Sequence, residues 1–313
     1  MKFIIFMSLA VSCSQVASQS WNYDPSSNIG PANWGNIPGF ETCGTGTEQS
    51  PINIPTASAM YASYPPLNIT SNATTDVYHL ENVGDAPTGF AYGSSNTWFT
   101  GGPVGVTHYK LHSFHLHYGN STYDGSEHAI DGMRTSAELD VVFYNGSYQN
   151  LNQALASGDR DAIAIIAVLF SPSDDISHAH PGVTPLLNFF SQLTYRGDQS
   201  AEQLNFQDIL RPEDITTFYT YYGSNSHPAC NEQVVWMVMS QIQYYPPTMI
   251  NALSGLLSSN RSEPRVEQIG NTRPLQPLNS RMIFQNFHTE SSGSGLMTVS
   301  LVALLLSFLA ASF

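Results

Sequence analysis

The feature that most constrains this chain is the segment Ser-Phe-His-Leu-His-Tyr at residues 113–118. Polar and apolar residues alternate along it, which is typical of a β-strand with one face in the core. Because side chains two residues apart on a strand share a face, His115 and His117 are expected side by side, opposite the three apolar side chains. Two imidazoles on one face are half of a zinc site.

Other segments also favour strands over helices. Residues 161–170 and 234–239 are short apolar runs rich in β-branched residues, as expected for strands buried on both faces. In residues 137–142, alternation places Asp140 on the same face as Glu138 and Val142. Helical periodicity is limited to short pieces such as residues 183–193, and Pro and Gly interrupt the rest.

The two ends of the chain predict export and membrane attachment. Residues 1–18 have a basic residue, an apolar run and a small-residue cleavage site, which is typical of a secretory signal. Residues 296–313 are uncharged and almost wholly apolar, and a small or polar linker, residues 288–295, precedes them. This pattern predicts a signal for a glycosylphosphatidylinositol anchor, with a retained transmembrane helix as the alternative. Residues 19–287 are then one extracellular domain, at the outer face of the plasma membrane or secreted.

Charge and cysteine content agree with that compartment. Without Lys2 the chain keeps nine basic against twenty-four acidic residues, a formal charge near −15, which argues against nucleic-acid binding. Removal of the signal also takes Cys13, and the two cysteines that are left, Cys43 and Cys230, are expected to pair in a secreted chain. Five sequons suit the same compartment: Asn68, Asn72, Asn120, Asn145 and Asn260.

Further motifs follow one another along residues 21–287. They are Gly30-Pro31 with Trp34-Gly35, the segment Glu-Gln-Ser-Pro-Ile-Asn-Ile at 48–54, Gly101-Gly102-Pro103, and Asn-Thr-Arg-Pro-Leu-Gln-Pro-Leu at 271–278. Together with the histidine strand, they resemble the α-class carbonic anhydrases. The resemblance implies a mainly β fold, with one large twisted and mostly antiparallel sheet and short surface helices. It also implies a disulfide between the regions of Cys43 and Cys230.

The resemblance implies a catalytic zinc ion that hydrates carbon dioxide to bicarbonate. Relatives hold the zinc with three histidines, and here Asp140 stands in place of the third, giving the set His115, His117 and Asp140. Zinc accepts carboxylate oxygen at about 2.0–2.2 Å, so this set suits it. Two histidines and one carboxylate also bind iron in oxygenases, so iron is an alternative metal.

The residues that support this chemistry are partly those of relatives. By resemblance, Glu127 and Ser226 orient the reacting water, with the serine hydroxyl donating to the glutamate. Glu138 and His128 form a buried support pair, with Glu138 placed to orient a ligand. Ser113 replaces the glutamine that usually supports His115.

The expected carbon dioxide pocket is apolar except at one position. Val142, Ile165, Val234 and Trp236 correspond to apolar positions in relatives, whereas Asn225 replaces a leucine.

Asp85 lies near the position of the family's proton-shuttle histidine. His227 or His112 is expected to substitute partly for that histidine, because an exposed imidazole titrates near physiological pH.

Two functions from different classes are compatible with the sequence. The first is a cell-surface carbonic anhydrase of reduced efficiency, because a carboxylate ligand makes the bound water less acidic. The alternative is a carbonic anhydrase-related ectodomain without catalysis that serves as a binding or adhesion module. The sequence identifies no protein partner.

Overall fold

The computed structural model describes residues 21–72, 76–91, 96–119, 124–268 and 270–288. The predicted signal, most of the linker, the apolar tail and the sequon residue Asn120 lie outside these ranges. Within them, no helix is long and apolar enough to cross a membrane.

The described residues are mostly β-structure. The strands are β1 (Asn53–Ile54), β2 (Met60–Tyr61), β3 (Asn68–Thr70), β4 (Val77–Asn82), β5 (Pro87–Ala91), β6 (Trp98–Thr100), β7 (Tyr109–Tyr118), β8 (Ala129–Ile130), β9 (Ala137–Asn145), β10 (Ile163–Pro172), β11 (Gln199–Gln203), β12 (Phe218–Gly223), β13 (Val234–Met239), β14 (Gln243–Tyr245) and β15 (Phe284–Gln285). The α-helices are α1 (Thr42–Thr45), α2 (Leu151–Ser157), α3 (Val183–Ser191), α4 (Phe206–Ile209) and α5 (Thr248–Leu253). Short 3₁₀ helices cover Pro31–Asn36, Thr56–Ser58, Gly102–Val104 and Ile176–His178.

One large sheet organises the described chain, in the order β11-β4-β5-β7-β9-β10-β13-β12-β15-β2. Most neighbouring strands are antiparallel, whereas β10 pairs in parallel with β13 and β14, and β15 pairs in parallel with β2. The predicted mainly β fold with one large sheet and short helices is therefore confirmed. The strand predicted from the apolar run at 161–170 is β10, which is buried from Ile163 through Phe170.

The sheet separates two apolar clusters. On β7, Phe114 and Leu116 face the larger cluster, which includes α3. On β9, Leu139 and Val141 face that same cluster, whereas Val142 faces the second one. The predicted alternation of β7 and β9 is confirmed.

A β-bulge in β7 was not foreseen from the sequence. The register with β9 shifts between Leu111 and Ser113, so His112 is the extra residue. In a regular strand, residues three apart point to opposite faces. Because of the extra residue, Leu111 before the bulge and Phe114 after it both face the larger cluster.

The N-terminal segment packs against the loop that carries Cys230. Tyr23 and Trp34 join the disulfide-linked Cys43 and Cys230 in a third buried cluster. The bridge connects α1 to the loop after β12, and these are the two cysteines predicted to pair.

Candidate metal centre and active site

The middle of the sheet brings the three expected ligands to adjacent positions. His115 and His117 lie on β7, and Asp140 lies on β9. In the antiparallel register His115 is opposite Asp140, and His117 is opposite Glu138. Residues far apart in the sequence thus share one face because of strand pairing.

The distance between His117 and Asp140 is compatible with two ligands of one zinc ion. Both are almost fully buried, and His117 Nε2 lies 3.4 Å from Asp140 Oδ2. Two ligands bound tetrahedrally at about 2.0–2.1 Å from one zinc ion are about 3.3 Å apart. His117 Nδ1 donates to the carbonyl of Asn271 at 2.8 Å, so in the neutral ring Nε2 keeps its lone pair for a metal.

His115 is oriented differently. Its Nδ1 lies 3.2 Å from Thr88 Oγ1, and its Nε2 lies 3.0 Å from Ser113 Oγ. Burial holds the pKa of His115 well below its ordinary value, so the ring is neutral. Both ring nitrogens therefore contact hydroxyl groups. In the described part of the chain, no three His, Cys, Asp or Glu side chains are grouped so that they could hold a metal ion.

Asp140 is the least satisfied of these side chains. Its Oδ1 atom is buried and has no hydrogen-bond partner. Burial, the nearby Glu138 charge and a hydrogen bond between the two carboxyl groups raise the pKa of Asp140 well above its ordinary value. The raised pKa favours the protonated carboxyl group, and a metal ion that binds here would compete with that proton.

By contrast, Glu138 and His128 form a fully bonded pair. His128 Nδ1 donates to Glu138 Oε1 at 2.6 Å, and the His128 backbone N–H donates to Oε2 at 2.8 Å. On the other side of the ring, the Tyr221 hydroxyl lies 2.7 Å from His128 Nε2 and 2.9 Å from Ser50 Oγ. Burial alone would raise the pKa of Glu138, but the contacts with His128 hold it at about 2.

Glu127 lies on the other side of His117. Its Oε1 accepts from the backbone N–H of Arg273 at 2.8 Å and lies 3.4 Å from His117 Nδ1. Burial raises the pKa of Glu127 to about 7. Its Oε2 is buried without a partner, so the hydrogen bond expected from Ser226 is not formed, although Ser226 is itself buried.

The expected substrate residues form a row across three strands. Ile165 on β10 is opposite Val142 of β9 on one side and Trp236 of β13 on the other. Val234 precedes Trp236 on the same face, and all four belong to one buried apolar cluster. Asn225 lies outside the cluster and is half-buried, with its backbone N–H bonded to the carbonyl of Asn231 at 3.1 Å.

Neither histidine proposed for proton transfer is fully exposed. His227 is half-buried, its ring stacks on Trp21 with centroids 6.0 Å apart, and burial lowers its pKa. His112 is half-buried at the bulge, with Nδ1 3.0 Å from Ser113 Oγ, and burial lowers its pKa too. Both rings are only partly exposed, and a proton-transfer role for either histidine stays a prediction. Burial raises the pKa of Asp85 to about 6.

Sequence reasoning missed several contacts of this site. Thr88 contacts His115, and Asn271 fixes the ring of His117. Tyr221 completes the support pair. Only Asn271 carried a signal, because it opens the recognised segment 271–278.

Comparisons with known proteins agree with this architecture. The family model described as eukaryotic-type carbonic anhydrase matches residues 29–287. Carbonic anhydrase 1 of Mus musculus is 33% identical over 275 residues, covering 87% of this chain and 100% of the relative. Carbonic anhydrase 3 of Homo sapiens is 29% identical over 271 residues, covering 86% and 99%.

A third relative extends the comparison to a mitochondrial protein. Human mitochondrial carbonic anhydrase 5A is 29% identical over 259 residues, which is 80% of each chain. A mainly β fold with paired histidines in the middle of its sheet is thus accompanied by a family match over most of the chain. The chain belongs to the eukaryotic-type carbonic anhydrase family, and this membership supports a carbonic anhydrase-type function.

Proposed function

We propose that this protein is a zinc-dependent carbonic anhydrase that interconverts carbon dioxide and bicarbonate with low efficiency. The observation that carries the proposal is the pair His117 and Asp140, whose Nε2 and Oδ2 atoms lie 3.4 Å apart. The partnerless Oδ1 of Asp140 supports it, since a buried polar atom without a partner is costly unless something binds it.

The residues present suit a zinc ion once the His115 ring is released from a hydroxyl contact. His117 and Asp140 would hold the metal, and His115 would join them by exchanging a hydroxyl contact for the metal. A zinc ion there would supply Lewis-acid activation of a water molecule near neutral pH. Glu127 Oε2 would accept a hydrogen bond from the hydroxyl that orients the reacting water, which the family resemblance assigns to Ser226.

The same site accounts for the low efficiency. The row of Val142, Ile165 and Trp236 suits a small linear apolar substrate, but the neighbouring Asn225 is polar and favours water. If a zinc ion is bound, the Asp140 carboxylate would cancel part of the metal charge, so activated water would be less acidic. The two histidines expected to transfer protons are not fully exposed, because His227 stacks on Trp21 and His112 is half-buried at the bulge.

The test combines zinc content with carbon dioxide hydration for wild type, Asp140→His and Asp140→Ala. We expect weak wild-type activity that rises with pH, and higher activity at neutral pH in Asp140→His. Asp140→Ala should lose zinc, whereas Asp208→Ala, at an exposed aspartate, should behave as wild type. Equal zinc affinity in Asp140→Ala and wild type would refute the proposed ligand set.

One observation favours the second candidate function, a binding module without catalysis. Both ring nitrogens of His115 contact hydroxyls, and the described residues contain no group of three metal ligands. This candidate predicts that purified protein contains no zinc and does not hydrate carbon dioxide even when zinc is supplied. Activity above the uncatalysed rate that a chelator removes would exclude it.

We also propose that the chain is exported and held at the outer face of a membrane. The signal-like residues 1–18 and the apolar residues 296–313 support this, as does the Cys43–Cys230 disulfide, which suits an oxidising compartment. We expect phosphatidylinositol-specific phospholipase C to release the protein from cells. Recovery of a tail peptide containing Leu304 from mature protein would instead favour a transmembrane helix.

Glycosylation is part of the same proposal. Asn68 and Asn72 are exposed, whereas Asn145 and Asn260 are half-buried. Treatment with peptide-N-glycosidase should therefore lower the apparent mass of protein from a eukaryotic secretory host, and no change in mass would contradict this.

A further inference from the structure

The last strands of the large sheet expose apolar side chains at its edge. Met60 and Tyr61 of β2 are 43% and 49% exposed, and Met282, just before β15, is 62% exposed. Phe284 of β15 is half-buried. We call these four residues the edge patch.

Strand pairing gathers the edge patch in one place. Met60 is in register with Phe284, and the backbone N–H of Met60 donates to the carbonyl of Ile283 at 2.9 Å. Ile283 is buried in the core, so Met282 and Phe284 on either side of it point the other way. Tyr61 follows Met60 on β2 and therefore points to the opposite face. The patch thus wraps around the edge strand, with Met60, Phe284 and Met282 on one side and Tyr61 on the other.

The segments that build this edge lack negative charge. The chain has twenty-four acidic residues, yet residues 51–72 contain no charged residue, and residues 216–231 contain no acidic one. Residues 271–287 contain only Arg273 and Arg281. The exposed Asp131 accepts from Thr56 near β2, and Glu290 follows His288, so the edge is less acidic than the chain as a whole but not free of negative charge. Its repulsion by anionic lipid headgroups is therefore weak.

The chain leaves the described domain beside the edge patch. The ring of His288 stacks on Tyr61 with centroids 3.9 Å apart. Only residues 289–295 separate His288 from the apolar run 296–313. Seven residues span at most about 25 Å, so a lipid attached within residues 289–295, or a transmembrane helix formed by residues 296–313, keeps the edge patch close to the bilayer.

We propose that the edge patch rests on the lipid surface of the membrane that anchors the chain. This inference depends on the proposed anchoring. The patch is small, so it orients a chain that is already tethered and does not bind membranes by itself. β9 is five strands from β2 in the sheet order, or about 24 Å, so the candidate active site is held away from the headgroups.

The experiment uses full-length protein from cell membranes, reconstituted into phosphatidylcholine–cholesterol vesicles that contain a spin-labelled lipid. Met60→Cys supplies a thiol for an environment-sensitive fluorophore. Among the described residues Cys43 and Cys230 are paired, and Cys13 lies in the predicted signal. Val77→Cys is the matched control, because Val77 is an exposed apolar residue on β4, towards the opposite edge of the sheet. We expect the lipid spin label to quench the dye at position 60 at least threefold more than at position 77.

Met282→Cys provides a second position and should reproduce the quenching seen at position 60. Equal quenching at positions 60, 282 and 77 in protein that floats with the vesicles would overturn the lipid contact alone. Protein that does not float with the vesicles would overturn the anchoring proposal, and the lipid contact with it.

Discussion

Two buried polar clusters lie side by side on β9 and differ in how well they are bonded. Around Glu138, both carboxylate oxygens and both nitrogens of the His128 ring have partners. Around Asp140, one oxygen of the Asp140 carboxyl group and one oxygen of Glu127 are buried without a hydrogen-bond partner. An unsatisfied buried polar group costs about 1–3 kcal/mol, so the second cluster is strained in a way that the first is not.

The difference distinguishes a cluster that stabilises the fold from a cluster that is suited to binding a ligand. The Glu138 cluster is complete without a ligand and stabilises the fold. The Asp140 cluster has acceptors that point to no protein donor, which is the property expected of a place where something binds.

The largest expected effect comes from breaking the complete cluster. Glu138→Ala leaves two donors of His128 and the carboxyl of Asp140 without an acceptor, and should lower the free energy of unfolding by about 3–5 kcal/mol. Urea denaturation measures the loss. Glu263→Ala removes an exposed pair with Arg196 and should cost less than about 1 kcal/mol. Similar losses in the two variants would contradict the distinction between the clusters.

The next effect is a pH dependence from Glu127. Because burial raises its pKa from 4.5 to about 7, its contribution to stability is fully present below pH 4.5 and is lost as the pH rises through 7. For metal-free protein, the free energy of unfolding that is lost between pH 4.5 and 7 is about 3 kcal/mol. Buried histidines with lowered pKa values act in the opposite direction, so the measured quantity is the difference between wild type and Glu127→Gln. A difference that does not change between pH 4.5 and 7 would contradict the raised pKa.

Zinc should stabilise the incomplete cluster. A ligand that binds only the folded state adds about 2.7 kcal/mol at a hundred times its Kd. The gain should increase with pH, because Asp140 must lose its proton to bind the metal. Thermal unfolding with zinc measures it, and Mg²⁺, which prefers oxygen ligands, is the control. If zinc stabilises Asp140→Ala as much as wild type, Asp140 does not bind the metal.

The smallest expected effect is that of Asp140→Asn on metal-free protein. A protonated carboxyl and an amide have nearly the same shape, and both can donate to Glu138, so the free energy of unfolding should change by less than about 0.5 kcal/mol. Urea denaturation of Asp140→Asn, measured in parallel with Glu138→Ala, gives this change in the free energy of unfolding. A loss as large as that of Glu138→Ala would mean that Asp140 is ionised and belongs to the complete cluster.

Much of the fold could be predicted from local patterns. Alternation identified the faces of β7 and β9, and the apolar run at 161–170 identified β10, because side-chain period and burial are properties of a single strand. The bulge at His112 could not be predicted in this way. It depends on how β7 matches β9, which is a relation between two strands.

In the candidate site, too, some features could be predicted from local sequence and others depend on contacts between distant segments. The sequence by itself determined which residue types are available: a histidine pair of strand spacing, an aspartate on the expected neighbouring strand and two cysteines. Only the tertiary structure decided their bonding. It turned His115 towards Thr88 and Ser113, placed His227 under Trp21, and left Asp140 Oδ1 without a partner. The physical reason is that hydrogen bonding, burial and pKa depend on neighbours from distant segments, whereas strand alternation depends only on the residues next in the chain.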